Sequence, residues 1–170
     1  MFLTTDFNLF FWHAALLGIG ATLFMDFYAF ALKRIFHIQS LDYALVGRWV
    51  LYFNCQFRHS NIIKSPKKRY EGFVGWVSHY VIGVAFGAMF LFLSQHFNVG
   101  VQSFAGSAVF GLVTVTLPFF IMQPCFGFGI AASNTPSPFT NRLKSVAAHV
   151  MYGTGIYVSA LSLPYIHIEL

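Results

Sequence analysis

Three ionisable side chains stand out inside the long apolar stretches of this chain: Asp26, His79 and His149. An aspartate at the centre of a membrane helix costs about 2.5–3.5 kcal/mol on insertion scales, so such groups mark sites by default. Asp and His are the usual proton carriers in membranes, and histidine titrates near neutral pH. A cluster of this kind could bind or pass a small solute, an ion or a proton. The same three groups could instead ligate Zn²⁺ or Fe²⁺, and two histidines on different helices could hold a haem axially. In the blandest case they hydrogen-bond to one another and lock helix packing, at about 0.6 kcal/mol per bond.

Their spacing from the nearest boundary is similar. Asp26 lies seven residues before Lys33, His79 seven after Gly72 and His149 five after Lys144. Helical rise then puts each roughly 7–11 Å inside the same interface. Gln123 closes another apolar stretch near that depth. Small residues accompany the histidines at intervals of four, in Gly75, His79, Gly83 and Gly87 and again in Ser145, His149 and Gly153. That spacing lines one helix face and lets a neighbouring helix approach closely. Tight glycine contact between the two histidine helices would leave no room for a porphyrin.

The elements that must position these groups are membrane spans. The chain of 170 residues is 57% hydrophobic and 9% charged, against about 25% charged in a soluble domain. A span needs about 20 apolar residues, and four segments qualify, at about 10–32, 73–93, 104–123 and 146–163. Pro118 is expected to kink the third. The first is not a cleaved signal peptide, because its positive charges follow the apolar run. All ten Lys and Arg residues lie between Lys33 and Arg69 or at Arg142 and Lys144. Cytoplasmic loops retain such residues, which predicts both termini outside, residues 33–72 and 124–145 inside, and His13, His96, His167 and Glu169 at the outer side. The basic pI of 9.4 follows from this bias, and nucleic-acid binding is not expected.

The first inner loop is not uniformly polar. Residues 41–57 set Trp49, Tyr52, Phe53 and Phe57 around Arg48, in apolar runs too short to span, which reads as an interfacial or re-entrant segment. Asp42 and His59 are candidates to pair with the arginines of this loop, Arg48 and Arg58. The cluster Lys64–Arg69 suits anionic lipid headgroups. Cys55 and Cys125 lack a metal or redox spacing. The glycines of residues 123–133 follow no strand, so a phosphate loop is not expected. No nucleophile elbow is present, and a hydrolase is unsupported.

The blocks SLDYALVGRW (40–49), FRHSNI (57–62), GWVSHYVIG (75–83), PFFIMQPCFGFGIAASNTPSP (118–138) and RLKSVAAHVMYGTGIY (142–157) resemble a bacterial family of small polytopic membrane proteins known as domain-of-unknown-function family 2938. The resemblance implies an inner-membrane location in bacteria. It implies no activity, cofactor or site residue.

The sequence therefore leads us to expect a single all-α integral membrane domain over residues 1–170, with four transmembrane helices and an interfacial segment between the first two. Its expected site is an intramembrane polar cluster of Asp26, His79, Gln123 and His149, joined on the inner loop by Asp42, Arg48, Arg58 and His59. A metal or haem on His79, His149 and Asp26 is the second reading, and an accessory or assembly subunit the third. The expected partners are the lipid bilayer, anionic lipids, and a second copy or another membrane protein.

Overall fold

A computed structural model describes residues 2–163, with side chains from Asn8 onward. The expected outer positions of His167 and Glu169 lie outside the described residues. The described chain is all-helical, without strands. Helix α1 covers Phe2–Phe36, with Lys33 and Arg34 in its last turn, where positive charge opposes the helix dipole favourably. It stops where His37 turns left-handed at φ 56 and the Ile38 N–H closes onto Leu32 O at 3.2 Å. Helix α2, Tyr43–Leu51, starts at Asp42, whose carboxylate caps the Ala44 N–H at 2.9 Å. Helix α3 covers Glu71–His96. Helix α4, Phe104–Thr114, is capped by Ser103, which accepts from the Gly106 N–H at 3.1 Å.

The third expected span is not one continuous α-helix. α4 ends at Thr114, and a π-helical segment, Pro118–Met122, leads into a single turn, α5, at Gln123–Cys125. Pro118 has no N–H for the usual ladder, and the wider turn lets its carbonyl accept from the Gln123 N–H. The expected kink is thus a change of helix type. Helix α6 covers Pro138–Ala160. It begins eight residues before the fourth expected span and ends before residue 163, because the loop ahead of it is short and Pro138 suits a first helical turn.

Among the described residues, three helical stretches are long and apolar enough to cross a membrane: Asn8–Phe36, Glu71–His96 and Phe104–Cys125. α6 is of similar length, but Asn141, Arg142, Lys144 and His149 dilute its apolar character. Along α1, Trp12, Leu16, Ile19, Leu23, Phe27 and Phe30 are exposed at intervals of three or four. Such a stripe would be an aggregation surface in water and is the face a bilayer covers. The architecture fits a membrane protein.

α1 packs against both α3 and α6, α4 packs on α6, and α2 lies along α3. Small residues set these contacts. A Cβ on Gly18 would strike the backbone of Gly83 and Val84, one on Gly153 that of Ser107, and one on Gly47 that of Glu71. Close backbone approach of this kind gives van der Waals attraction where lipid removes the hydrophobic drive between helices. The glycine contacts therefore join α3 to α1 and α6 to α4. They do not join the two histidine helices directly, as the sequence spacing had left open. The buried centre contains Leu17, Ala21, Phe90, Leu91, Tyr152 and Ile156. A second cluster, Val46, Ile62 and Phe126, ties α2 and the inner loop to the end of the third helix.

Candidate functional site

Asp26 lies about ten residues before the end of α1, where it meets α2 and α3. Its Oδ1 accepts from His79 Nε2–H at 3.0 Å and from the Tyr43 hydroxyl at 3.2 Å. Its Oδ2 accepts from the Tyr80 hydroxyl at 3.0 Å. Three donors from two other helices thus satisfy one carboxylate, which is how a buried charge is kept tolerable. The His79 and Asp26 side chains are only 10% and 17% exposed. Tyr43 also stacks on the His79 ring at 4.0 Å between centroids, with Trp76 edge-on to both. Tyr43 is held well above the usual tyrosine range, first by burial and then by the Asp26 charge.

His149 does not join this pair. The Thr114 hydroxyl donates to Gly111 O at 2.6 Å, and its oxygen then accepts from His149 Nδ1–H at 2.8 Å. Gln123 is also separate. Its Nε2 donates to Ser145 Oγ at 3.3 Å, while its Oε1 is buried without a partner. The expected four-residue cluster is therefore three neighbouring sets: Asp26 with His79, His149 with Thr114, and Gln123 with Ser145.

A cavity of about 520 Å³ lies between them, within the 300–1,000 Å³ typical of small-molecule sites. α1 contributes Met25 and Leu32, α3 His79 and Phe86, the π segment Pro118 and Met122, and α6 Ala148, His149 and Tyr152. Residues 38–41 and Trp49 close its end, where Lys144 Nζ donates to Gln39 O at 3.1 Å. The proline-driven change of helix type thus supplies one wall.

The segment between α1 and α3 is built on Arg48. Its Nε and Nη2 donate to the two oxygens of Glu71, each at 2.8 Å, and its Nη1 donates to the carbonyls of Ile62, Ser65 and Ile63 at 2.9, 3.1 and 3.3 Å. This fork of planar donors is what guanidinium provides and an ammonium cannot. The hydrogen bonds to Glu71 push Arg48 above its already high value. The expected pairings of Asp42 and His59 with arginine do not form. Asp42 is taken by the α2 cap, and His59 is buried with Nδ1 on Ser65 Oγ at 2.9 Å. Arg58 is exposed, and its carbonyl accepts from Gln56 Nε2. Burial, and secondarily the Arg48 charge, lowers the His59 pKa. Among the described residues, no three His, Cys, Asp or Glu side chains converge as a metal-binding group. Cys55 is exposed and Cys125 buried, both as free thiols.

The sequence reading missed Tyr43, Tyr80, Thr114 and Glu71. Glu71 had a signal: it and Asp42 are the only acids between Lys33 and Lys144, and a buried arginine needs an acid. Tyr80 follows His79 directly. Nothing in the spacing marks Thr114.

The family model described as Protein of unknown function (DUF2938) matches residues 15–163. The chain belongs to that family. No curated protein and no solved structure matches it. The match spans the Asp26–His79 pair, the Arg48–Glu71 pair and every residue lining the cavity. The family description names no activity, so any functional reading rests on the site itself.

Proposed function

We propose that this protein is a four-span bacterial inner-membrane protein, with both termini outside, whose cavity at the basic, cytoplasmic end binds or passes a small solute. α6 is the fourth span in this reading, with Arg142 and Lys144 at its inner end. The supporting observation is the Asp26–His79 pair: a carboxylate and an imidazole at hydrogen-bond distance, on two long apolar helices, with His79 lining the cavity. A structural pair would serve as well without a cavity beside it. Here the imidazole has one nitrogen on Asp26, no hydrogen bond at the other, and a place in the cavity lining. That arrangement lets His79 take either a proton or a ligand's hydrogen bond at its second nitrogen while the first stays on the Asp26 carboxylate. The Tyr43 and Tyr80 hydroxyls donate to the same carboxylate and fix its orientation beside the imidazole.

The test is reconstitution into liposomes containing a pH-sensitive dye. Wild-type protein is expected to collapse an imposed pH gradient faster than empty vesicles, and Asp26→Asn to bring the rate back to the empty-vesicle level. Equal rates for wild type and empty vesicles would remove proton passage and leave binding alone.

A further inference from the structure

The proton bookkeeping of the cavity wall points to its ligand. Four lining side chains direct their protons away from the cavity. Thr22 donates to Gly18 O at 2.7 Å, Tyr152 to Gly83 O at 2.7 Å, Tyr43 to Asp26, and the Trp49 indole N–H to Phe57 O at 2.8 Å. The imidazoles follow the same rule. A neutral His79 that gives Nε2–H to Asp26 has a bare lone pair at Nδ1. His149 is fixed in the opposite tautomer. The Thr114 proton is committed to Gly111 O, so His149 must supply Nδ1–H and keep a bare Nε2. Two histidines from α3 and α6 therefore supply acceptor nitrogens to the wall of one cavity, whose other polar lining is Tyr28, Gln39, Ser40 and Ser145 and whose remainder is chiefly Met, Leu, Ile, Ala, Phe and Pro. Among the described residues, Lys144 is the only Lys, Arg, Asp or Glu in that lining, and it is bonded to Gln39 O.

We propose that the cavity takes an apolar molecule bearing a hydroxyl or phenolic proton, which it donates to His79 Nδ1 or His149 Nε2. An apolar ligand lacking a donor would leave both nitrogens dry and unpaired, which is the basis on which such sites discriminate. A fatty carboxylate would be repelled by the two bare imidazole lone pairs, with Lys144, already bonded to Gln39 O, as the one cation in the lining. This inference rests on the reading of the cavity as a ligand site.

The experiment uses full-length protein in nanodiscs, with empty nanodiscs subtracted for membrane partition. Three probes of matched apolar length are compared by scintillation proximity: 4-nonylphenol, its methyl ether 4-nonylanisole, and dodecanoate. The phenol is expected to bind at least about fivefold tighter than the ether, the worth of one net hydrogen bond. Histidine ¹⁵N spectra should show a shift at one bare nitrogen with the phenol only. His149→Phe and His79→Phe, made separately, should narrow the phenol-to-ether ratio in whichever variant removes the acceptor. Equal binding of phenol and ether would overturn the donor requirement while leaving a ligand cavity. Tighter binding of dodecanoate would overturn it in favour of an anionic ligand. Saturable binding of none of the three would overturn the inference and count against the cavity as a site, whatever the proton-flux assay shows for Asp26.

Discussion

Removing the Arg48 guanidinium should be among the most destabilising single changes outside the helix contacts. Arg48→Met keeps an unbranched apolar stem of similar reach and deletes five hydrogen bonds at once, two to Glu71 and three to the carbonyls of Ile62, Ile63 and Ser65. The Arg48 and Glu71 side chains are 5% and 13% exposed, so water cannot replace the lost donors freely. Breaking a buried pair from one side costs about 3–5 kcal/mol, chiefly because a charge is left behind. Glu71 would keep only the Lys68 N–H at 2.9 Å. Arg48→Lys retains charge but cannot span two carboxylate oxygens and three carbonyls together, and should cost about 1–3 kcal/mol. Adding Glu71→Gln to Arg48→Met should recover part of the loss, with a coupling of about 1–3 kcal/mol. The assay is SDS-induced unfolding in mixed micelles, read by tryptophan fluorescence and checked for reversibility. An Arg48→Met protein within about 0.5 kcal/mol of wild type, the range of ordinary surface substitutions, would refute the reasoning, as would strict additivity in the double variant.

Two further outcomes follow from the packing and the inner loop. Gly18→Leu should destabilise by about 1–3 kcal/mol through overpacking, because its first added atom meets the α3 backbone, whereas Gly72→Leu meets nothing and should be neutral or slightly stabilising; the same unfolding assay compares them, and equal effects would contradict the close α1–α3 approach. His59 is held neutral by burial and by Arg48, so the unfolded chain binds its proton more readily than the folded one. Its contribution is fully present above the unfolded pKa of about 6.5 and is lost as pH falls below that value toward the lowered folded pKa. Thermal midpoints measured from pH 7.5 to 5 should fall more steeply for wild type than for His59→Gln, and parallel curves would contradict the assignment.

What could be read in the sequence was whatever depends on one helix at a time. The apolar lengths placed the end of α1, both ends of α3 and the start of α4 to within about four residues, since span length follows from rise per residue. Asp26 and His79 were flagged because a buried charge is costly wherever its helix points. Their contact depends on helix rotation, which depth cannot supply; for the same reason depth could not show that His149 bonds Thr114 and Gln123 bonds Ser145, with His149 meeting His79 only across the cavity. Thr114 escaped notice because a threonine in an apolar helix ordinarily bonds its own backbone, and here it does so while also accepting from His149. Arg48 was singled out, but its partner was not, because Asp42 is nearer in sequence while Glu71 is nearer in space.

The seam between the inner loop and the end of the third helix bears on how the chain is made. The His59 N–H donates to Cys125 O at 2.8 Å and the Ile62 N–H to Phe126 O at 3.0 Å, and a side chain on Gly127 would collide with the Ser60 carbonyl. Those partners emerge from the ribosome more than 60 residues after the loop that needs them. At about 5–20 residues per second the loop waits roughly 3–13 s in an unfinished state. During that interval its backbone donors and the apolar faces of Ile62 and Trp49 are open to proteases, chaperones and the lipid surface. A ribosome stalled shortly before residue 125 should therefore hold a nascent chain that is already inserted yet still cleavable between residues 52 and 66, and release of the stall should close that window.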